Sequence, residues 1–141
     1  MSPIEKVRFI ELPTVSDPRG NLTFMEGGCH IPFEIKRVFY ITDVPAGASR
    51  GDHAHKTCEE VMFVIQGSVD LHITDGITEM ELKLDSPGKG ILIPAEVWLR
   101  TDNFAPGTIC LVLCSHHFDM DDYILGFDNY LKLRNIDKNK D

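Results

Sequence analysis

The sequence predicts an all-β domain, a jelly-roll barrel or sandwich closed by one short C-terminal helix. Apolar and polar residues alternate with a period of two along most of the chain, which is the pattern of strands with one buried face. Clusters of glycine and proline separate these segments at short intervals, and one segment near the end has helical periodicity. Many short strands joined by such turns are typical of a closed, two-sheet β architecture.

The first half of the chain supplies four predicted strands. They cover residues 7–12, 21–26, 36–41 and 52–56. Turn sequences lie between them, DPRG after Ser16 and PAG after Val44. Because proline and glycine interrupt strands, each segment is expected to end at such a turn.

A β-hairpin is the clearest element of the second half. Val69, Leu71 and Ile73 alternate with polar residues, Asp75-Gly76 supplies a tight turn, and the alternation resumes after it. This is the sequence pattern of an antiparallel hairpin. Further strands are predicted over residues 60–65, 90–93 and 108–115.

One amphipathic helix is predicted to end the fold. An apolar stripe runs from Tyr123 to Arg134 at i, i+4, i+7, i+8 and i+11, which matches 3.6 residues per turn. The acidic pair Asp121–Asp122 is expected to cap its N-terminus. Residues 136–141 are expected to form a polar tail, and residues 1–141 to form one domain.

Composition and charge argue against several classes of function. The 141 residues are 43% hydrophobic and 26% charged, which favours a soluble globular domain. The formal charge of -8 argues against a nucleic-acid surface, because phosphate backbones are bound by clustered lysine and arginine. The longest apolar runs are strand-sized, so no membrane span is expected. The N-terminus has no apolar signal core, which predicts a cytoplasmic protein.

Two histidines one residue apart carry the most informative chemistry. His53 and His55 precede an apolar run that contains Glu60 and ends at Gly67. In an extended segment both imidazoles project from the same face. The residues alone leave three interpretations open. The histidines are ordinary surface or core residues, they bind a metal ion, or they act as general acid and base near neutral pH.

The same stretch resembles the cupin superfamily. The four residues just named match its first motif. The second motif matches at Gly88, Pro94 and Asn103, but Glu96 replaces its second glycine and Leu99 its histidine. Cupin metals are typically held by the two histidines and the glutamate of the first motif and by the histidine of the second. An aliphatic Leu99 removes one of these ligands, which favours the acid-base interpretation over the metal.

Six segments carry a narrower resemblance. They are DPRGNLTFME, IPFEIKRVFYI, RGDHAHK, LDSPGKG, AEVW and DDYILGFDNY. In this order they are similar to the WxcM-like, metal-independent cupin ketoisomerases of deoxysugar biosynthesis. The resemblance implies a sugar-nucleotide 3,4-ketoisomerase that moves the ketone of dTDP-4-keto-6-deoxyglucose from C4 to C3 through an enediol. It implies no cofactor and no metal, and a place in deoxyamino sugar and cell-surface glycan biosynthesis.

The resemblance also implies roles for individual residues. His53 and His55 match the catalytic pair, with His55 expected as the main proton carrier and His53 as the group that positions the sugar or stabilises the enediol. The candidate substrate-binding residues are Arg19, Tyr40, Arg50, Lys56, Glu60 and Arg100. Guanidinium groups suit diphosphate oxygens, whereas the glutamate is expected to orient a histidine.

Two positions in the second motif affect the expected site. Leu99 stands where the family usually has a polar residue that borders the sugar, which leaves the C4 configuration of the product open. Arg100 is expected to reach the sugar through a local shift of its strand.

The sequence leaves two alternative functions open and predicts a homodimer. A 3,5-epimerase of the same keto sugar also abstracts a proton beside a ketone, and a non-catalytic sugar-nucleotide-binding cupin would suit the loss of a polar residue at Leu99. Cupins of this type commonly dimerise, so a homodimer is expected. Residues 1–12 would supply an edge strand or a strand exchanged between subunits.

Overall fold

The computed structural model describes residues 1–136, which form two five-stranded antiparallel sheets, a separate hairpin and one α-helix. The strands and the helix are β1 (Arg8–Glu11), β2 (Thr14–Asp17), β3 (Gly20–Thr23), β4 (Arg37–Ile41), β5 (Arg50–His55), β6 (Glu60–Gln66), β7 (Val69–Thr74), β8 (Glu79–Leu84), β9 (Lys89–Ile93), β10 (Trp98–Asp102), β11 (Ile109–Cys114), β12 (Tyr123–Leu125) and α1 (Phe127–Leu133). The first sheet has the order β1-β9-β6-β11-β4 and the second β12-β5-β10-β7-β8. The predicted all-β fold with a short C-terminal helix is confirmed. Residues 137–141, most of the predicted tail, lie outside the described part.

The two sheets pack face to face around an apolar core. Val64 and Val112 of the first sheet and Leu71 of the second are fully buried between them. In β7 the side chains of Val69, Leu71 and Ile73 are buried, while those between them are half-exposed, as the alternation predicts. Each such aliphatic side chain contributes about 1.5–3 kcal/mol of hydrophobic stabilisation when it is fully buried.

Additional layers cover the outer faces of both sheets. Residues 24–35 cover the first sheet, where Ile31 packs in one cluster with Phe63. Helix α1 covers part of the second sheet, where the rings of Tyr130 and Trp98 lie 5.4 Å apart. None of the helices among residues 1–136 has the length and apolar character needed to cross a bilayer.

The C-terminal helix begins at Phe127, not at Tyr123. The residues before it form β12, which pairs with β5 and sets Tyr123 opposite His55. Pairing with β5 outweighs the helical spacing of the side chains, because tertiary contacts override local propensity. The acidic pair Asp121–Asp122 ends a 3₁₀ turn, so the prediction that it caps the helix is wrong.

Strands β2 and β10 were not expected from the sequence. Strand β2 pairs with β3 in the separate hairpin, and β10 lies between β5 and β7 in the second sheet. In β10 the adjacent residues Trp98 and Leu99 are both buried, because helix α1 covers one face of the strand and the core covers the other. A strand buried on both faces shows no alternation of apolar and polar residues. Strand β1 pairs with β9 at the edge of the first sheet.

Candidate functional site

Strand β5 carries the histidine pair and lies between β10 and β12. Gly51 near its start has a φ of +93°, and a Cβ atom there would lie 2.8 Å from the carbonyl oxygen of Leu99. This backbone conformation and close approach favour glycine. The register shifts between Leu99 and Arg100 at this point, which is a bulge of the kind that bends a strand. His53 is then paired directly with Leu99.

A partly open cavity of about 230 Å³ lies beside this bulge. Its polar lining comes from Arg50, His53, Glu60, Thr101 and Tyr123. Its apolar lining includes Phe39, Ile41, Met62 and Leu99. A larger groove of about 500 Å³ lies on the outer face of the second sheet but contains neither histidine of the pair. We place the candidate active site in the smaller cavity, because it gathers titratable groups, with Glu60 buried and His53 half-buried, around a partly apolar space.

The two histidines have different surroundings. His53 is half-buried and lines the cavity, whereas His55 is 5% exposed and does not line it. Their ring centroids are 5.1 Å apart in an edge-to-face arrangement. Burial lowers the pKa of His53 below its ordinary value. At neutral pH its imidazole is therefore uncharged and able to accept a proton.

Asp122 fixes the ring of His55. Nδ1 of His55 lies 3.1 Å from Oδ2 of Asp122, and the same carboxylate accepts hydrogen bonds from both backbone N–H groups of Thr57 and Cys58 and from the Thr57 hydroxyl. Burial opposes the charge of Asp122, but these hydrogen bonds lower its pKa below the ordinary value. An ionised carboxylate only accepts, so Nδ1 of His55 carries the ring proton.

His55 is therefore a neutral histidine held in one tautomer. Burial and the neighbouring His53 lower its pKa to about 4, so its contact with Asp122 at neutral pH is a hydrogen bond and not an ion pair. Its Nε2 is buried and has no hydrogen-bond partner among the described residues.

Glu60 lies on the other side of His55. Its Oε1 is 3.8 Å from Nε2 of His55, which is too far for a hydrogen bond. Burial and the neighbouring Cys58 raise the pKa of Glu60 to about 7. Near neutral pH the carboxyl group is thus partly protonated.

Three of these side chains have a geometry that suits a metal ion. One ligand atom each from His53, His55 and Glu60 lie within 4.8 Å of one another. The fourth position of the cupin motif is Leu99, which lies opposite His53 on the cavity wall. An ion held here would have three protein ligands and open positions.

Tyr123 and Arg37 are site residues that the sequence did not assign. The ring of Tyr123 lies 5.1 Å from that of His53 and 4.4 Å from that of His55. Arg37, on β4, donates a hydrogen bond from Nη2 to the Tyr123 hydroxyl at 3.3 Å. The pair is separated by 86 positions in the chain. The sequence offered one signal, because Tyr123 lies in DDYILGFDNY, a segment that resembles the ketoisomerase family.

Of the six candidate substrate-binding residues, Arg50 and Glu60 line the cavity. Arg19 lies outside it on the β2–β3 hairpin, where its side chain is 90% exposed and pairs with Asp17 at 2.6 Å. The structure does not bring Arg19 to the histidine pair within one chain.

The other three candidates lie away from the cavity because of strand alternation. Tyr40 is 69% exposed, and its neighbours on β4, not Tyr40 itself, face the cavity. Lys56 lines a separate hollow beside β12. Arg100 lines the outer groove and pairs with Asp102 at 3.2 Å. The bulge before it does shift the strand register, but it does not turn Arg100 inward.

A two-sheet jelly roll that turns a His-x-His strand and a buried glutamate toward one cavity defines a cupin with acid-base groups inside its barrel. The family model described as FdtA, WxcM-like, C-terminal, matches residues 5–135. The chain therefore belongs to the FdtA/WxcM-like family, as its sequence segments indicate.

Three relatives show how far this similarity extends. The TDP-4-oxo-6-deoxy-alpha-D-glucose-3,4-oxoisomerase of Aneurinibacillus thermoaerophilus is 38% identical over 125 residues, which cover 89% of this chain and 90% of that protein. The crystal structure of a 3,4-ketoisomerase from Helicobacter canadensis has a TM-score of 0.90 at 34% identity, covering 92% of this chain and 98% of that one. A mutant of the 3,4-ketoisomerase QdtA from Thermoanaerobacterium thermosaccharolyticum, in complex with TDP-4-keto-6-deoxyglucose, has a TM-score of 0.89 at 36% identity, covering 92% and 94%.

Proposed function

We propose that this chain is a sugar-nucleotide 3,4-ketoisomerase that moves the ketone of dTDP-4-keto-6-deoxyglucose from C4 to C3. The observation that carries the proposal is the position of the His53 imidazole, which lines a partly apolar cavity together with Glu60 and Tyr123. Family membership supports the same reaction, and so do the activities and the bound sugar nucleotide named for the relatives.

The carbon chemistry needs one base that can return the proton it takes. The ketone at C4 acidifies the proton on C3. His53 accepts this proton, an enediol forms, and the imidazolium returns the proton to C4 while the ketone appears at C3. Because burial lowers the pKa of His53, its imidazolium gives the proton up readily. No oxidant or reductant is consumed.

We assign proton transfer to His53 and a positioning role to His55, which reverses the order expected from the sequence. His55 does not line the cavity, and Asp122 holds its Nδ1. Its ring lies edge-to-face with that of His53, so a fixed His55 limits the orientations that His53 can adopt.

The size of the cavity indicates how the substrate enters. Ligand pockets for drug-sized molecules usually measure about 300–1,000 Å³, and this cavity is smaller at about 230 Å³. We place the sugar ring inside it and the nucleotide outside. Arg50 lines the cavity and is exposed to solvent, so its guanidinium can pair with diphosphate oxygens.

The test is incubation with dTDP-4-keto-6-deoxyglucose in deuterated buffer, followed by NMR of the sugar. We expect deuterium at C3 of the substrate and a new 3-keto sugar with deuterium at C4. Exchange at C5 as well would indicate a 3,5-epimerase. Nucleotide binding without any exchange would indicate a binding protein, and either result would overturn the proposal.

A chelator tests the metal-free mechanism in the same assay. We expect the rate of ketone transfer to remain unchanged after treatment with EDTA, because each step assigned above uses side chains alone. Elemental analysis of the purified protein provides the second measurement. Loss of activity that one divalent ion restores would contradict this part of the proposal.

We also propose that the protein acts as a cytoplasmic homodimer. Strands β1 and β4 form the two edges of the first sheet, and β4 exposes Val38 and Tyr40. Exposed strand edges with apolar side chains favour pairing with a second copy. Light scattering at micromolar concentration is expected to give the mass of two chains, and a one-chain mass would exclude the dimer. Cell fractionation tests the location.

A further inference from the structure

We propose that Tyr123 transfers the second proton of the isomerisation, the one that moves from the hydroxyl oxygen at C3 to the carbonyl oxygen at C4. This inference rests on the function proposed above. Moving a ketone between neighbouring carbons requires one proton transfer between the carbons and another between their oxygens. His53 serves the carbons, and the oxygens need a separate group that both donates and accepts.

The position of Tyr123 fits this requirement. It lines the same cavity as His53, and the two rings lie 5.1 Å apart. A phenol hydroxyl has one proton to donate and lone pairs that accept. Here the hydroxyl accepts the hydrogen bond from Nη2 of Arg37. Its own proton therefore remains for an acceptor in the cavity.

Arg37 supplies a fixed positive charge beside the phenol oxygen. Its guanidinium lies over the rings of Phe39 and Phe118, with Cζ 5.2 Å and 5.5 Å from their centroids. Burial opposes the charge, yet Tyr123 and Cys114 raise the pKa of Arg37 above its ordinary value. A charge that is already oriented stabilises the phenolate that forms when Tyr123 gives up its proton, and it needs little reorganisation.

The step balances in protons and electrons. As His53 takes the C3 proton, the O–H bond of Tyr123 breaks and its proton binds the carbonyl oxygen at C4, which gives the enediol. The Tyr123 phenolate then takes the proton of the C3 hydroxyl as the C3–O double bond forms, and the imidazolium of His53 protonates C4. Both side chains return to their starting states.

Tyr123→Phe tests this assignment, because it removes the hydroxyl and keeps the ring against both histidines. We expect product formation to fall by about 10²–10³-fold. The rate of deuterium exchange at C3 is expected to fall less, by about 10–10²-fold, because His53 can still remove and return that proton. Both rates come from one NMR time course in deuterated buffer. Thr78→Val is the control, because it deletes an exposed hydroxyl in the turn between β7 and β8, away from the cavity.

The ratio of C3 exchange to product formation decides the outcome. A rise in this ratio supports the inference, because a purely structural defect would lower both rates together. Product formation within about threefold of the unmodified chain, or a parallel fall of both rates, overturns it. Arg37→Gln removes the charge but keeps the phenol, and it is expected to raise the same ratio. If the unmodified chain neither exchanges nor isomerises, the proposed function itself fails and this inference falls with it.

Discussion

Replacing His53 with asparagine is expected to lower both ketone transfer and C3 exchange by about 10³-fold, within the range of general acid-base catalysis. Asparagine is similar in size and can donate and accept hydrogen bonds, but it cannot take a proton at neutral pH. No other imidazole of residues 1–136 lines the cavity. The measurement is the initial rate of each process by NMR in deuterated buffer.

Two histidine variants make this result specific. His117→Asn changes an exposed histidine beyond β11, so we expect it to leave both rates unchanged. His55→Asn is expected to reduce the rates less than His53→Asn, because His55 acts through the position of its neighbour. A larger loss of C3 exchange in His55→Asn would return the proton transfer to His55 and contradict our assignment.

The pKa of His53 also determines the acid side of the pH profile. Protonation of the imidazole removes the base, so activity falls as the pH drops through the pKa of His53. Burial lowers that pKa, so the acid limb of kcat/KM is expected below the value near 6.5 of an ordinary histidine. An acid limb above 6.5 would contradict a buried, uncharged His53.

The spacing of residues in the sequence was sufficient to predict the parts of the site that lie on one strand or on its neighbour. The His-x-His pair projects from one face of β5, as alternation requires, and the two rings are in edge-to-face contact. The interval to Glu60 leads into β6, where that side chain lines the same cavity. The hairpin of β7 and β8 was predictable for the same reason, because its core and solvent faces alternate.

The rest of the site depends on contacts between distant segments. Asp122 binds the backbone of Thr57 across 65 positions and His55 across 67, and no local pattern encodes these distances. Tyr123 has helical spacing to the residues after it, but pairing with β5 makes it part of a strand. Tyr40 and Arg100 lie outside the cavity lining, because a side chain one position from a lining residue faces the other side of its sheet.

The buried groups of the site give opposite contributions to stability as the pH changes. His55 has a pKa of about 4 in the fold against about 6.5 in an unfolded chain. The unfolded state therefore binds more protons between these values, and stability is lost as the pH falls through this range. Glu60 has a pKa of about 7 against about 4.3 when unfolded. The stability that protonated Glu60 contributes is fully present below the unfolded-state pKa of about 4.3. This stability is lost as the pH rises through the folded-state pKa of about 7.

Asp122→Asn is expected to lower kcat by about 10–100-fold, the usual cost of losing the partner that orients a functional histidine, because His55 then no longer holds the ring of His53 in one orientation. One carboxylate oxygen becomes an NH₂ group, which faces either the N–H of Cys58 or that of Thr57 and leaves it unpaired. If the NH₂ replaces Oδ2, it also faces Nδ1 of His55. Nδ1 can accept a hydrogen bond from the NH₂ only in the tautomer whose proton is on Nε2. An unpaired buried N–H costs about 1–3 kcal/mol, but the bond to Thr57 is exposed and that to Cys58 is only partly buried, so urea unfolding at pH 7 should show a loss of about 1 kcal/mol, at the lower end of this range.

The acid response separates this electrostatic effect from a general packing defect. The pKa of Asp122 is lowered in the fold, so the stability that its charge provides is present above the ordinary carboxyl pKa and is lost as the pH falls through the lower, folded value. The difference in unfolding free energy between Asp122→Asn and the unmodified protein should therefore become smaller at acidic pH. Asp121→Asn, the same change at an exposed neighbour, is expected to alter neither kcat nor stability. A gap that stays constant down to the acid transition would show that Asp122 acts through packing, and the fixed tautomer of His55 would then need another cause.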